Sequence, residues 1–233
     1  MQGCWCGLIG ALLLTEAVCG GGEPEITAPT KSPLVLAPAK VCLDGVASPK
    51  REKAKSVIDR PMLKARGSSE TFPCDPRHYS WFLDRPDRAV VAWRRMGARC
   101  VTILPRGQGT FAWTDEHGSE VIWEAIVNAP GQRIWFAEGK VKPGPVLPSV
   151  NVRAVVVMSY QEGKSADGEP NITHQTSLYV HSDSKSAAIV AKLLGNTAQR
   201  SAEQGLNELQ VFFSGVSCYM HRHPERVEVL LKD

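Results

Sequence analysis

The chain of 233 residues predicts an α+β fold. Its sheet is antiparallel and curved, with six strands, or seven if residues 68–74 contribute one. Two short helices precede the sheet and a long C-terminal helix packs on it. Three observations lead there. Strand-like runs follow one another from residue 100 to residue 180 across short turn segments, and short links require antiparallel pairing, because parallel strands need crossovers of about a dozen residues or more. Residues within these runs alternate in polarity, so one sheet face is apolar. Near the C-terminus Ala202, Leu206, Leu209, Phe213, Val216 and Met220 step by four and three, the rhythm of one helix face.

Each element has its own local reason. His78 to Leu83 reads as a short helical turn. Asp84-Arg85-Pro86 restarts the chain, with proline suited to a first helical position. Ala89, Val90, Trp93 and Met96 line one side of the second helix, and Gly97 ends it. The strands are expected at 100–104, 110–113, 121–127, 134–141, 152–160 and 172–180. Arg106-Gly107-Gln108-Gly109 turns the chain between the first two; lying between strands, it is no phosphate cradle. Placing Glu124, Glu138, Lys140 and Arg153 toward water puts Trp123, Trp135, Val141, Val156, Met158 and Tyr160 on the opposite, inward face. By the same parity Ile172, His174, Thr176, Leu178 and Val180 share one face of the last strand. A further helix is read from Ala187 to Leu194, and Thr197 is the expected N-cap of the long helix, which runs to about His221 before Pro224.

The N-terminal part reads differently. Leu8 to Leu14 form an apolar run too short to span a bilayer, and Ala17-Val18-Cys19 offers small residues before a cut ahead of Gly20. Residues 1–19 are therefore expected to be a signal peptide, which predicts export to a periplasmic, envelope-associated or secreted location. Residues 20–71 are rich in proline and alanine and carry seven basic residues between Lys50 and Arg66 against Glu52 and Asp59. Such a composition predicts a disordered basic tether, either a plain solvated linker or one that adheres to an anionic partner such as an envelope surface. Residues 72–233 are the folded domain. A net charge of +3 is too small to make the chain a specific nucleic-acid binder.

Seven cysteines occur. Cys4, Cys6 and Cys19 fall in the signal; Cys19 is also weighed as a lipidated residue. Cys42, Cys74, Cys100 and Cys218 allow three pairings, or stay as buried thiols, and the spacing does not choose. With no Cys-x-x-Cys, zinc ribbons and thioredoxin-type redox chemistry are disfavoured. No catalytic motif, metal set or cofactor signature is found. His174-Gln175-Thr176 is half of a two-histidine phosphoesterase pattern whose other half is missing, and Cys218 with His221 supplies two metal ligands where three or four are needed.

The element order resembles the helix-grip folds of START-like and polyketide-cyclase-like proteins over residues 75–222. The departure is the first strand, which in those folds precedes the two helices and here would have to come from residues 68–74. The chain also resembles exported bacterial proteins of unassigned function. The helix-grip resemblance implies a sheet curved around the last helix, with a hydrophobic ligand between them. The inward parity names the lining of such a cavity: Trp113, Trp123, Trp135, Met158, Tyr160, Phe213, and the polar pair His174 and Thr176. The expected function is non-catalytic binding of a hydrophobic small molecule or lipid by an exported protein. The alternatives are an envelope scaffold module tethered by its basic linker, and a hydrolase or cyclase-like enzyme without a recognisable motif. Oligomeric state is not legible in the chain.

Overall fold

A computed structural model describes residues 30–31, 36, 41–98, 100–115, 118–142, 148–184, 187 and 195–232. The signal-peptide reading of residues 1–19 lies outside them, as does all but Ala187 of the helix expected at 187–194. The described strands are β1 (Thr30–Lys31), β2 (Leu63–Arg66), β3 (Glu70–Pro73), β4 (Ile103–Gly107), β5 (Thr110–Thr114), β6 (Glu120–Ala129), β7 (Gln132–Val141), β8 (Val150–Lys164) and β9 (Pro170–His181). The helices are α1 (Ser48–Asp59), α2 (Pro76–Asp84), α3 (Pro86–Arg95), α4 (Asn196–Arg222) and α5 (Val227–Leu231).

All strands join one antiparallel, curved sheet in the order β1-β3-β9-β8-β7-β6-β5-β4, with β2 also paired to β9. From β4 to β9 the order is that of a meander, as short links demand. The sheet is larger than the six strands expected. Residues 70–73 supply the seventh, and β1 and β2 extend the same side.

The disordered tether needs correction over its second half. Residues 48–59 form α1, and residues 63–66 and 70–73 pair with β9. The apolar content of α1 is low, but Ala54, Val57 and Ile58 fall at helical spacing and pack onto Ile134, Phe136, Val155 and Val157. Those four belong to the sheet face that parity had assigned to water. A few apolar residues suffice because the sheet offers them a surface already assembled. The basic side chains of α1 are partly engaged there: Lys50 pairs with Glu124 at 2.5 Å, Lys53 with Glu138 at 3.3 Å, and Lys55 with Asp59 within the helix. The sheet thus has two covered faces, one under α1 and one under α2, α3 and α4.

On the inner face α4 runs 27 residues. Ala202, Leu206, Phe212, Phe213, Val216 and Met220 are buried, while Leu209 is only half-buried. Gly195, not Thr197, occupies the N-cap position, and no side chain caps the first turn. Trp93 of α3 donates its indole N–H to the Phe212 carbonyl at 2.8 Å, tying the second short helix to the long one. Among the described residues no helix is long and apolar enough to cross a membrane. Cys42, Cys74, Cys100 and Cys218 are free thiols. Burial pushes the Cys74 thiol up to about 12 and that of Cys100 up to about 11, so neither is a reactive thiolate at neutral pH.

Candidate functional site: an apolar hollow between sheet and helix

The hollow arises from side-chain size in one cross-strand row. Trp123, Ala137, Ala154 and Val180 sit side by side on β6, β7, β8 and β9. Their shared parity points them inward. In the next row Trp135 lies beside Val156 and Leu178. Two adjacent alanines, flanked by indoles, leave a depression that the helix above does not fill. Leu209, Phe212 and Phe213 of α4 form the roof, and Pro86 of α3 and Ile103 of β4 contribute to the rim. The hollow, which is partly open, has a volume of about 100 Å³. Its lining is apolar apart from Glu138, whose carboxylate is met by Lys53 of α1 on the other face of the sheet. Trp135 and Phe213 lie nearly parallel across the roof, 4° between planes with centroids 6.1 Å apart.

Of the residues named from parity, Trp123, Trp135 and Phe213 are in the cavity wall. Trp113, Met158, Tyr160, His174 and Thr176 face the same side but line a different part of it. Trp113 is buried in the core at 2 % exposure, and Thr176 donates to the Met158 sulfur at 3.2 Å. His174 is wholly buried beneath α2. It stands between Glu70 of β3 and Tyr160 of β8 in register, with Tyr79 of α2 above it. Its Nδ1 is 2.7 Å from the Tyr79 hydroxyl and its Nε2 is 3.3 Å from Glu70 Oε2. Burial depresses the proton affinity of His174, and the neighbouring Glu70 restores only part of it. The neutral ring therefore donates Nε2–H to the carboxylate and accepts the tyrosine O–H at Nδ1. Burial also holds the Tyr79 phenol well above its ordinary value.

A second polar knot lies beside this one. Arg133, with a side chain 5 % exposed, donates to Asp84 at 2.9 Å, to Ser80, to the Ala129 carbonyl and to the Tyr160 hydroxyl. Both knots are closed on themselves, and neither contributes a residue to the wall of the hollow. This answers the phosphoesterase pattern: both His174 nitrogens are engaged in the core. Among the described residues no group of three or more His, Cys, Asp or Glu side chains could hold a metal ion.

Sequence reasoning missed most of the wall, including the roof residues Leu209 and Phe212 and the small residues Ala137 and Ala154 that create the depression. A strand alanine carries no signal of its own, and only cross-strand register reveals that two of them meet.

No family model matches this chain, and no curated protein matches it. Among solved structures it is similar to a conserved protein from Geobacillus kaustophilus, at 16 % identity over 69 % of this chain and 97 % of that one, with a TM-score of 0.43. A hypothetical protein from Helicobacter pylori is similar at 13 % identity over 78 % and 99 % of the two chains, with a TM-score of 0.42. Norcoclaurine synthase from Thalictrum flavum is similar at 13 % identity over 77 % and 96 %, with a TM-score of 0.36.

Proposed function

We propose that this protein binds a hydrophobic small molecule or lipid, without transforming it, in the hollow between its sheet and its C-terminal helix. The observation that carries the reading is the cavity over Ala137 and Ala154, walled by indole and phenyl rings and roofed by Leu209, Phe212 and Phe213. Close-packed interiors leave few voids larger than a water molecule. An apolar void between two elements that could each have carried larger side chains is the usual form of a small-molecule site. What supports the absence of chemistry is the separation of roles on the inner face: Glu70, His174, Tyr79 and Arg133 bond to one another and to the core, away from the wall. Export remains part of the proposal through the apolar run at Leu8–Leu14; N-terminal sequencing after cell fractionation tests it, and an intact Met1 in the cytosolic fraction sinks it. The reading as an envelope module held by a basic tether has less behind it, since three lysines of that stretch serve ion pairs within the fold.

The deciding experiment is native mass spectrometry of the purified protein, followed by organic extraction. A mass adduct that partitions into the organic phase is the expected result, and its loss in Ala154→Leu ties it to the hollow. A clean apo mass, with no uptake from a panel of apolar compounds, would overturn the binding reading.

A further inference from the structure

Helix α1 differs from α4 in what holds it. Of its 12 residues only Ala54 and Val57 are buried, with Ile58 packed beside them, whereas α4 buries twelve of its 27. Nor does the helix support itself. Its N-cap position is Ala47, which offers no side-chain hydrogen bond, and no acidic residue in the first turn or basic one in the last answers the helix dipole. The charges run the other way, with Lys50, Arg51 and Lys53 in the first half and Asp59 at the end. A helix of this length is marginal in water even in a favourable sequence. α1 is therefore helical because it is docked.

The surface that docks it is the outer face of the sheet. Phe136 pairs across strands with Val155, and Ile134 with Val157; these four side chains make an apolar floor that α1 covers. Glu124 lies beside Phe136 on β6, and Glu138 follows two residues along β7, so carboxylates border the floor. Lys50 reaches the first at 2.5 Å and Lys53 the second at 3.3 Å. Both lysines are half exposed, and ion pairs in that setting are individually weak and screened by salt. The strands beneath are held differently. β7 and β8 are each paired on both sides and carry the inner core on their other face. Losing α1 takes nothing from those ladders.

We infer that α1 is a detachable cover, which leaves and rejoins the outer face while the sheet beneath stays folded, its ion pairs with Glu124 and Glu138 setting how often it opens. The open state bares an apolar strip edged by two carboxylates. That surface suits an amphipathic helix with basic residues one turn apart and apolar ones beside them, and in the resting protein its occupant is α1 itself. This outer face is separate from the hollow, and the cover's opening requires no ligand there.

Amide hydrogen exchange of the full-length protein tests the cover, on the native chain, on Lys50→Glu/Lys53→Glu, and on that variant with Glu124→Lys added. In the native protein the amides of α1 should exchange at least about tenfold faster than those of β7 and β8. Reversing the two lysines should speed α1 by a further factor of about three to thirty. The strand amides should stay as they are, which also shows that the variant folds. Adding Glu124→Lys restores one pair with opposite sign and should slow α1 again. Raising salt from about 0.05 M to about 0.5 M should speed α1 exchange in the native protein, where it screens attraction, and slow it in Lys50→Glu/Lys53→Glu, where it screens repulsion. Equal exchange of α1 and the strands in the native protein overturns the inference. So does loss of strand protection together with α1 in the reversed variant, an α1 indifferent to charge reversal or to the added Glu124→Lys, or a salt effect of the same sign in both proteins.

Discussion

Gln210 Oε1 accepts the backbone N–H of Thr176 at 3.2 Å, standing in for a strand that is missing at that point of the sheet. Strand β9 is paired at Ser177–Val180 by β2 and at Asn171–His174 by β3. Between the two the chain loops away through Gly67, Ser68 and Ser69. Gly67 still donates to the Thr176 carbonyl at 2.9 Å, while Gln210 Nε2 donates to the Ser68 carbonyl at 2.6 Å. One amide of α4 thus closes the gap between two short strands and pins the long helix to the sheet. Gly67 has no side chain for a reason: a Cβ there would sit 2.0 Å from Gln210 Oε1.

Gln210→Leu therefore leaves the Thr176 N–H and the Ser68 carbonyl without their side-chain partner, in a place that Gln210 itself fills at 0 % exposure. The expected loss is about 2–4 kcal/mol, from orphaned buried groups at about 1–3 kcal/mol each, partly offset by the apolar side chain. Gly67→Ala should destabilise as well, by forcing the amide out of place. Thermal melts check both, and an unchanged midpoint in Gln210→Leu contradicts the role assigned to this amide.

The buried histidine makes stability fall in mild acid. Burial lowers the proton affinity of His174 in the fold, so protonation favours the unfolded chain. Its contribution is complete above its unfolded value of about 6.5 and is lost as pH falls from there through the depressed folded value. Exposed carboxylates such as Asp183, whose proton affinity its hydrogen bond from His181 lowers, act only in a more acidic window, near and below pH 4. Urea titrations at pH 7.5, 6.0 and 5.0 should show a decline that His174→Gln largely removes. A flat profile across that range, or an equal decline in the variant, refutes the assignment. Tyr79 predicts the opposite limb, since its raised value makes stability fall as pH rises above about 10.

Filling and enlarging the hollow should move binding and stability in opposite senses. Ala154→Leu places a larger side chain over the depression beside Ala137. It should abolish ligand uptake while holding the melting temperature within a few degrees or raising it, because the space is already there. Leu209→Ala removes part of the roof at a half-buried position, and should cost less than Leu206→Ala, a fully buried position of the same helix, for which about 2–5 kcal/mol is expected. Retained uptake in a folded Ala154→Leu protein would place the ligand elsewhere.

Arg133 and Asp84 should respond unequally. The arginine side chain is 5 % exposed and the aspartate 38 %. Removing Asp84 strands a buried cation, whereas removing Arg133 leaves an anion that water can reach. Asp84→Ala is expected to cost about 3–4 kcal/mol and Arg133→Met about 1–2 kcal/mol. Paired denaturation curves decide it, and the reverse order would show that packing of the arginine stem outweighs its charge.

Much of the inner architecture is legible without coordinates. The four-three rhythm from Ala202 to Met220 reports one face of α4, and alternation in β6 to β9 reports the inward side. Other signals were present but faint. Ala54, Val57 and Ile58 have helical spacing inside a basic stretch, and the unbroken apolar runs Ile134–Ala137 and Ala154–Met158 are those of strands covered on both faces. Read together they call for an outer layer, which α1 provides.

By itself the sequence determined the meander, the parity of its faces and the apolar stripe of the long helix, because short links and local periodicity act within a few residues. The tertiary structure alone decided that Ala137 meets Ala154 beneath Leu209, that Glu70 and Tyr79 enclose His174, and that lysines of α1 answer glutamates on the outer face. These relationships join residues from about 17 to more than 100 positions apart, and they depend on strand register and on which element docks where.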